Sequence, residues 1–141
     1  MRKTMKIFIL MLTLLSITIS MNGFTYASSY SDELSSIVQG ISKVTISATR
    51  TSTNANIVAT GPLTTVADSI KTTATLYEYN PTTGALTSTG NSVTKTAARC
   101  STYSFNTSFS INAAKTYKVK LDVTETTNGT SNKGVYYSNT F

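Results

Sequence analysis

The chain has 141 residues, a formal net charge of +6 at pH 7, one cysteine and no histidine. The lack of histidine excludes Ser-His-Asp and Cys-His catalytic units and imidazole zinc sites, and a lone cysteine cannot form an intramolecular disulfide. The sequence therefore predicts a protein that is not an enzyme and has no metal or other cofactor.

The N-terminal segment has the pattern of a secretory signal peptide. Three cations occur within the first six residues, and the apolar run IFILMLTLLSITI follows at 7–19. Thr25-Tyr26-Ala27 then forms a small-x-small cleavage pattern before Ser28. The run is shorter than the roughly 20 residues that a bilayer span needs, and no second apolar segment follows. We expect a signal peptide at 1–27 and a secreted chain that begins at Ser28 without a stable membrane anchor; an uncleaved signal anchor is the alternative.

The mature chain carries less charge than the full sequence. Residues 28–141 contain nine Lys and Arg against six Asp and Glu, a net charge of +3. This value is too small to predict nucleic-acid binding. It permits weak attraction to an anionic polymer of the cell envelope.

Hydroxyl side chains dominate the composition of residues 28–141, with 24 Thr and 17 Ser. Such enrichment is compatible with a disordered, mucin-like stalk. However, Pro62 and Pro81 are the only prolines, and apolar residues recur regularly among the threonines. Threonine is β-branched and favours the half-buried surface of a sheet. We therefore expect a folded all-β domain.

A short leader precedes this domain at 28–41. Leu34, Ile37, Val38 and Ile41 recur at helical spacing, and Gly40 ends the pattern. A short helix and a loosely ordered leader both remain open.

From residue 42 the apolar period changes to two, which is typical of strands. The turn signals are Gly61-Pro62, the segment 80–84, a tight Gly90-Asn91 hairpin turn and Asn128-Gly129. Strands are predicted at 42–51, 55–60, 70–79, 85–89, 92–98, 102–111, 116–127 and 135–141. Seven or eight short strands without intervening helices predict an antiparallel sandwich or barrel at 42–141.

Tyr117 begins the strand TYKVKLDVTETT just after a corner of the chain. In immunoglobulin-like sandwiches, a tyrosine at this corner bonds to main chain a few residues upstream. An ordinary core aromatic is the alternative for Tyr117.

Several segments resemble the small secreted immunoglobulin-like proteins of Gram-positive bacteria, which are families of unknown function. They are LYEYN with its TGAL turn, SFNTSFSI, AAKTYKVKLDVTETTNG and the terminal YYSNTF. The resemblance covers about residues 40–141 and implies an extracellular immunoglobulin-like β-sandwich of 7–8 strands, without implying an activity.

Two pairs of residues are the candidates for ligand binding. Tyr77 and Tyr79 face opposite to Ile70 and Leu76, where their rings can stack on sugars; alternatively they cover the edge of a second sheet. Lys118 and Lys120 lie two residues apart on one strand face, roughly 6 to 7 Å from each other. That face can contact an anionic cell-wall polymer, or it is merely the solvated side of the sheet.

The sequence gives weaker support for catalytic, thiol, calcium or ice-ordering sites. Asp122 and Glu125 are three apart on a strand, so they point to opposite faces and cannot form a glycosidase pair. Cys100 has no neighbouring base and is expected to be an inert or buried thiol. Clustered carboxylates for calcium are absent, and the Thr-x-Thr pairs are too irregular for an ice-ordering lattice.

The sequence thus predicts a secreted, non-enzymatic β-sandwich that binds a surface, either the cell envelope or a host polymer. The alternative from another class is a secreted antagonistic protein, similar to a bacteriocin or toxin, that acts on a target membrane. Structural self-assembly is a third class.

Overall fold

The computed structural model describes residues 26–32, for their backbone, and residues 40–141. These residues are all-β and form six strands in one antiparallel sheet. The strands are β1 (Tyr26–Asp32), β2 (Val44–Arg50), β3 (Asn54–Tyr79), β4 (Leu86–Ser110), β5 (Tyr117–Thr127) and β6 (Thr130–Tyr137). The prediction of an all-β antiparallel fold is confirmed.

The sheet is organised around β3, whose two halves have different neighbours. Along one side, β3 pairs with β4 over almost its full length. On the other side, residues 55–60 pair with β2, whereas residues 69–78 pair with β5. β1 extends the sheet beyond β2, and β6 extends it beyond β5.

One hydrophobic core receives the inward side chains of both halves. Ile46 and Ile57 come from the β2 end of the sheet, while Leu76, Leu121 and Val123 come from the β5 end. All five side chains are buried in the same cluster. A flat sheet cannot bring these positions together, so the sheet curls around the core. In β5 the alternation is regular, because Tyr117 and every second residue to Glu125 are buried.

The predicted break at Gly61-Pro62 is wrong. The chain stays extended there, and the two predicted strands at 55–60 and 70–79 are parts of the single strand β3. The register against β4 shifts between Pro62 and Ala67. Because proline has no N–H, it interrupts the ladder without ending the strand. The irregularity at 62–67 is where β3 changes its neighbour from β2 to β5.

The predicted hairpin at Gly90-Asn91 is also wrong. Thr75 pairs with Ser92 and Tyr77 pairs with Ser88, so Gly90 lies in a bulge opposite Leu76. Gly90 adopts a φ of 80°, which suits glycine in a bulge as well as in a turn. The segments predicted at 85–89, 92–98 and 102–111 are therefore parts of one strand, β4.

Two other turns lie where the sequence predicts them. In the turn after β3, the Asn80 carboxamide oxygen accepts bonds from the N–H groups of Thr82 and Thr83, and Gly84 has a φ of 72°. Asn128 and Gly129 have φ values of 51° and 75° and join β5 to β6. β6 begins at Thr130, five residues earlier than predicted, since it pairs with β5 directly after this turn.

The predicted signal peptide and leader are only partly within the described residues. β1 contains the predicted cleavage point between Ala27 and Ser28. Residues 28–32 run as strand beside β2. Residues 1–25 and 33–39, which hold the apolar run and most of the helical pattern, lie outside the described residues.

The corner bond predicted for Tyr117 is confirmed. The N–H of Asn112, five residues upstream, donates to the Tyr117 hydroxyl over 3.1 Å. The backbone of Tyr117 also exchanges two hydrogen bonds with Phe141, whose ring stacks against it with centroids 6.3 Å apart. Tyr117 therefore fixes both the corner before β5 and the C-terminal segment.

The substitution Tyr117→Phe is expected to lower the free energy of unfolding by about 1 kcal/mol, the usual net contribution of one hydrogen bond. The ring and its packing on Phe141 are retained, so the fold should persist. Urea unfolding measures the change. An unchanged midpoint and slope would mean that the bond to Asn112 contributes nothing to stability.

Candidate ligand-binding face

The four predicted binding residues lie on one surface. In the pairing of β3 with β5, Tyr77 is directly opposite Lys118, and Thr75 is opposite Lys120. Directly opposite residues of an antiparallel pair point to the same face. Tyr77, Tyr79, Lys118 and Lys120 alternate with buried residues and are themselves half-exposed. The tyrosines thus lie on the outer face of the sheet, and the two candidate pairs share one surface.

The register adds further residues to this surface. Thr124 is opposite Lys71 on β3 and Lys133 on β6, and Tyr137 is opposite Lys120. We call the surface the Lys–Tyr face and define it by its charged and aromatic members on three adjacent strands: Lys71, Tyr77, Tyr79, Lys118, Lys120, Asp122, Lys133 and Tyr137.

The Lys–Tyr face concentrates positive charge. It holds four lysines and one carboxylate, that of Asp122, which gives a net charge of +3. This equals the net charge of residues 28–141, nine cations minus six anions. Outside the face, the side chains that the structure describes carry five cations and three carboxylates, a net charge of +2, so the larger share of the described net charge lies on the Lys–Tyr face.

The outer face at the other end of the sheet carries one charged group, the Lys95 ammonium, which donates to the carbonyl and carboxamide oxygens of Asn106. There, β2, the first half of β3 and the second half of β4 form three rows of three opposed residues. These residues carry hydroxyl, amide or aliphatic side chains: Thr45, Ser47, Thr49, Asn56, Val58, Thr60, Ser104, Asn106 and Ser108. We call this surface the Thr–Asn face. It has one ammonium group where the Lys–Tyr face has four, so solvation of a strand face alone does not explain the four lysines.

Two contacts order the side chains of the Lys–Tyr face. The Lys118 ammonium lies 5.3 Å from the centroid of the Tyr79 ring, a cation–π arrangement. The Lys120 ammonium is 2.9 Å from a carboxylate oxygen of Asp122. The hydrogen bond to Asp122 is the main reason that the pKa of Lys120 is raised, so Lys120 is charged at neutral pH.

The arrangement can attract anions and stack on flat or aliphatic groups. Lysine ammonium groups act as point charges for phosphate and sulfate, and tyrosine rings offer an apolar face with a polar edge. Threonine hydroxyls lie between them, and the Thr73 and Thr94 hydroxyl oxygens are 2.8 Å apart. The face is therefore suited to a ligand that carries both negative charges and hydroxyl groups.

A cavity of about 180 Å³ is lined by Ile70 and Thr72 of β3 and by residues of β4 between 95 and 106. Its lining includes Cys100, which is half-buried and free, and Tyr103. Burial raises the pKa of Tyr103 to about 12, and its hydroxyl accepts a bond from Thr72 over 3.3 Å. Tyr103 is thus a neutral phenol below strongly alkaline pH and does not act as a base for the thiol.

The two carboxylates of β5 point to opposite faces, as predicted. Asp122 is on the Lys–Tyr face, whereas Glu125 is 1% exposed and lies inside. The Glu125 carboxylate accepts the N–H of Gly40 over 3.2 Å and the hydroxyl of Thr127. Its role is to hold the chain at Gly40 against β5.

Sequence reasoning missed Lys133 and Tyr137 as members of the site. Their signal is the alternation Ser131, Lys133, Val135, Tyr137, which becomes visible once β6 starts at Thr130. Lys71 shares the alternation of Tyr77 and Tyr79 along β3, but only the pairing with β5 places it beside the lysines.

Comparison with known proteins finds no matching family model, no matching curated protein and no matching solved structure. Within the described residues, no helix is long and apolar enough to cross a membrane. Over the same part of the chain, Asp, Glu and Cys do not gather in groups of three that could hold a metal ion.

Proposed function

We propose that this chain is a secreted, non-enzymatic protein that binds an anionic, hydroxyl-bearing polymer of the cell envelope or a host through its Lys–Tyr face. The observation that carries the proposal is the concentration of charge: four lysines and three tyrosines occupy the outer face of one end of the sheet. The Thr–Asn face has the same strand architecture with a single ammonium group, that of Lys95.

We also propose a fold for the domain and its export from the cell. The curled antiparallel sheet, its single core and the Tyr117 corner support an immunoglobulin-like sandwich. A relation to the secreted proteins of Gram-positive bacteria is proposed from the sequence segments alone. The strands of such a sandwich correspond to the two halves of β3 and of β4 together with the four other strands. Export with cleavage after Ala27 is proposed from the sequence, and the intact mass of the exported protein tests it.

Weak, salt-sensitive binding follows from the exposure of the Lys–Tyr face. Exposed charges are screened over about 10 Å at 0.1 M salt, and each exposed contact contributes a fraction of a kcal/mol. Several such contacts along one polymer add to a useful affinity, because each further contact is intramolecular. The expected interaction is therefore loose retention on an envelope, which is compatible with a secreted protein that works near a surface.

The substitution Lys118→Gln/Lys120→Gln is expected to reduce co-sedimentation with purified bacterial cell walls about 3- to 10-fold. This range follows from two exposed charge contacts, since 1.4 kcal/mol corresponds to a factor of ten. Binding of the unsubstituted protein should fall as the salt concentration rises. The measurement is the bound fraction across a salt series at fixed protein concentration.

A matched control removes two charges outside the Lys–Tyr face. Lys43 and Arg99 are exposed, and Lys43→Gln/Arg99→Gln should retain most of the binding. Asp122→Asn should strengthen binding, because it raises the charge of the face and releases Lys120 from its ion pair. Equal losses in the two double variants would show that net charge alone matters, and the proposed site would be wrong.

A further inference from the structure

The lysines of the Lys–Tyr face are arranged along the axis of β5. Lys118 and Lys120 occupy alternate positions of this strand, roughly 6 to 7 Å apart. Six residues beyond Lys118, Thr124 has Lys71 on one side and Lys133 on the other. Six residues of strand extend about 20 Å. The cations thus mark a line that is much longer than a monosaccharide or a single phosphate group.

The aromatic residues are restricted to one end of this line. Tyr77 and Tyr79 lie on the β3 side of Lys118, and Tyr137 lies on the β6 side of Lys120. Threonines occupy the outward positions between this end and Lys71, namely Thr73 and Thr75 of β3. A ligand along β5 would meet rings and cations first, then hydroxyl groups beside the Asp122 carboxylate, which is paired with Lys120, and then the second pair of cations.

The cations of the face are suited to phosphate. All four are lysines. Lysine acts as a point charge and is a common partner of phosphate. Lysines spaced along a strand suit a chain whose phosphate groups recur at regular intervals.

From these features we infer that the ligand is a linear polyol phosphate, a chain of polyol units joined by phosphodiesters, which lies extended along β5. This inference rests on the proposed function and specifies its ligand. Phosphates contact Lys118 and Lys120 at one end and Lys71 and Lys133 at the other. The polyol segments contact the tyrosine rings and the threonine hydroxyls between the lysines.

The experiment uses glycerol phosphodiester oligomers of defined length, a dimer, a tetramer and an octamer, in titrations with the mature protein at low salt. The dimer can reach only one pair of lysines, whereas the tetramer can span both pairs. Affinity is therefore expected to rise about tenfold from dimer to tetramer, because the second set of contacts is intramolecular. The further rise to the octamer should be small.

Two variants locate the ligand. Lys71→Gln/Lys133→Gln should weaken the tetramer about 3- to 10-fold and leave the dimer unchanged. Lys118→Gln/Lys120→Gln should weaken both oligomers, and Lys43→Gln/Arg99→Gln should weaken neither. All of these substitutions are at half-exposed or exposed positions, and urea midpoints close to that of the unsubstituted protein confirm that each variant is folded.

The outcomes separate this inference from the proposed function. Cell-wall binding that depends on Lys118 and Lys120, without binding of the phosphodiester oligomers, would overturn the inference and leave the proposed function standing. Equal affinity for a carboxylate glycan of matched length would likewise overturn the phosphate assignment. Affinity that does not change from dimer to tetramer would overturn the extended position along β5. A protein that binds neither walls nor oligomers would overturn both.

Discussion

The substitution Gly61→Ala is expected to lower the free energy of unfolding by about 3 kcal/mol, the upper part of the range for overpacked sites. An added Cβ would lie well inside van der Waals contact of the Lys43 carbonyl oxygen, and 3.1 Å from a methyl carbon of Ile41. The carbonyl belongs to the backbone and cannot rotate away. The chain must therefore move apart at the point where β3 leaves β2, next to the Ile41–Leu63 bridge.

Gly84→Ala is the matched control for this prediction. Gly84 has a φ of 72°, but no atom would lie within 4 Å of an added Cβ, so only the backbone conformation opposes alanine, at a cost of about 1 to 2 kcal/mol. Urea unfolding of the two variants gives the comparison. If Gly61→Ala costs no more than Gly84→Ala, the close approach of β2 and β3 does not limit the size of residue 61.

The second prediction concerns the contact between Gly40 and Glu125. Alanine at residue 40 would place its Cβ against the buried Glu125 carboxylate, and we expect a loss of about 2 kcal/mol in unfolding free energy. Glu125→Ala is expected to cost about 2 to 3 kcal/mol, because the Gly40 N–H and the Thr127 hydroxyl lose their acceptor and a buried side chain is removed.

The double variant Gly40→Ala/Glu125→Ala shows whether the two residues act through their contact or affect stability separately. With the carboxylate gone, the three atoms nearest to an alanine Cβ at residue 40 are removed, so the combined loss should fall short of the sum by about 1 to 2 kcal/mol. Gly84→Ala combined with Glu125→Ala should be additive, since Gly84 contacts nothing near Glu125. Additivity in the first pair would mean that the two residues stabilise the fold independently.

The sequence pattern predicted the structure correctly where the residues that determine it lie close together in the chain. The alternation of β5 predicted which side chains are buried, and the position of Tyr117 after a corner predicted its bond to Asn112. The turns at 80–84 and 128–129 follow from residues that tolerate positive φ or bond their own backbone. These features depend on residues close in sequence.

The errors arose where long-range pairing overrides a local signal. Gly90-Asn91 is a good hairpin sequence, yet the pairing of Thr75 with Ser92 and of Tyr77 with Ser88 holds the chain in a bulge. Gly61-Pro62 is likewise held extended, between β4 and the residues just before β2, where the Ser42 N–H donates to the Pro62 carbonyl over 3.4 Å. A turn signal specifies a local conformation, and it does not specify whether the flanking segments pair with each other or with a third strand.

The candidate site was predicted as two separate pairs for the same reason. The strand period places Tyr77 with Tyr79, and Lys118 with Lys120, but it does not give the register between β3 and β5. That register places Tyr77 opposite Lys118 and aligns Lys71 and Lys133 on either side of Thr124. Strand pairing therefore brings the charges of the face together, and no single segment of the sequence shows this grouping.

The construction of β4 has a consequence for solubility. Within residues 26–32 and 40–141, β4 pairs with β3 alone, so its other edge is a template on which a foreign strand could add. Three features oppose such growth: the bulge at Gly90, the cationic side chain of Lys95 and the positive φ of Arg99, which is 50°. Each interrupts the straight, uncharged edge that amyloid-like stacking requires. We expect these features to oppose aggregation of this threonine-rich chain along the free edge of β4.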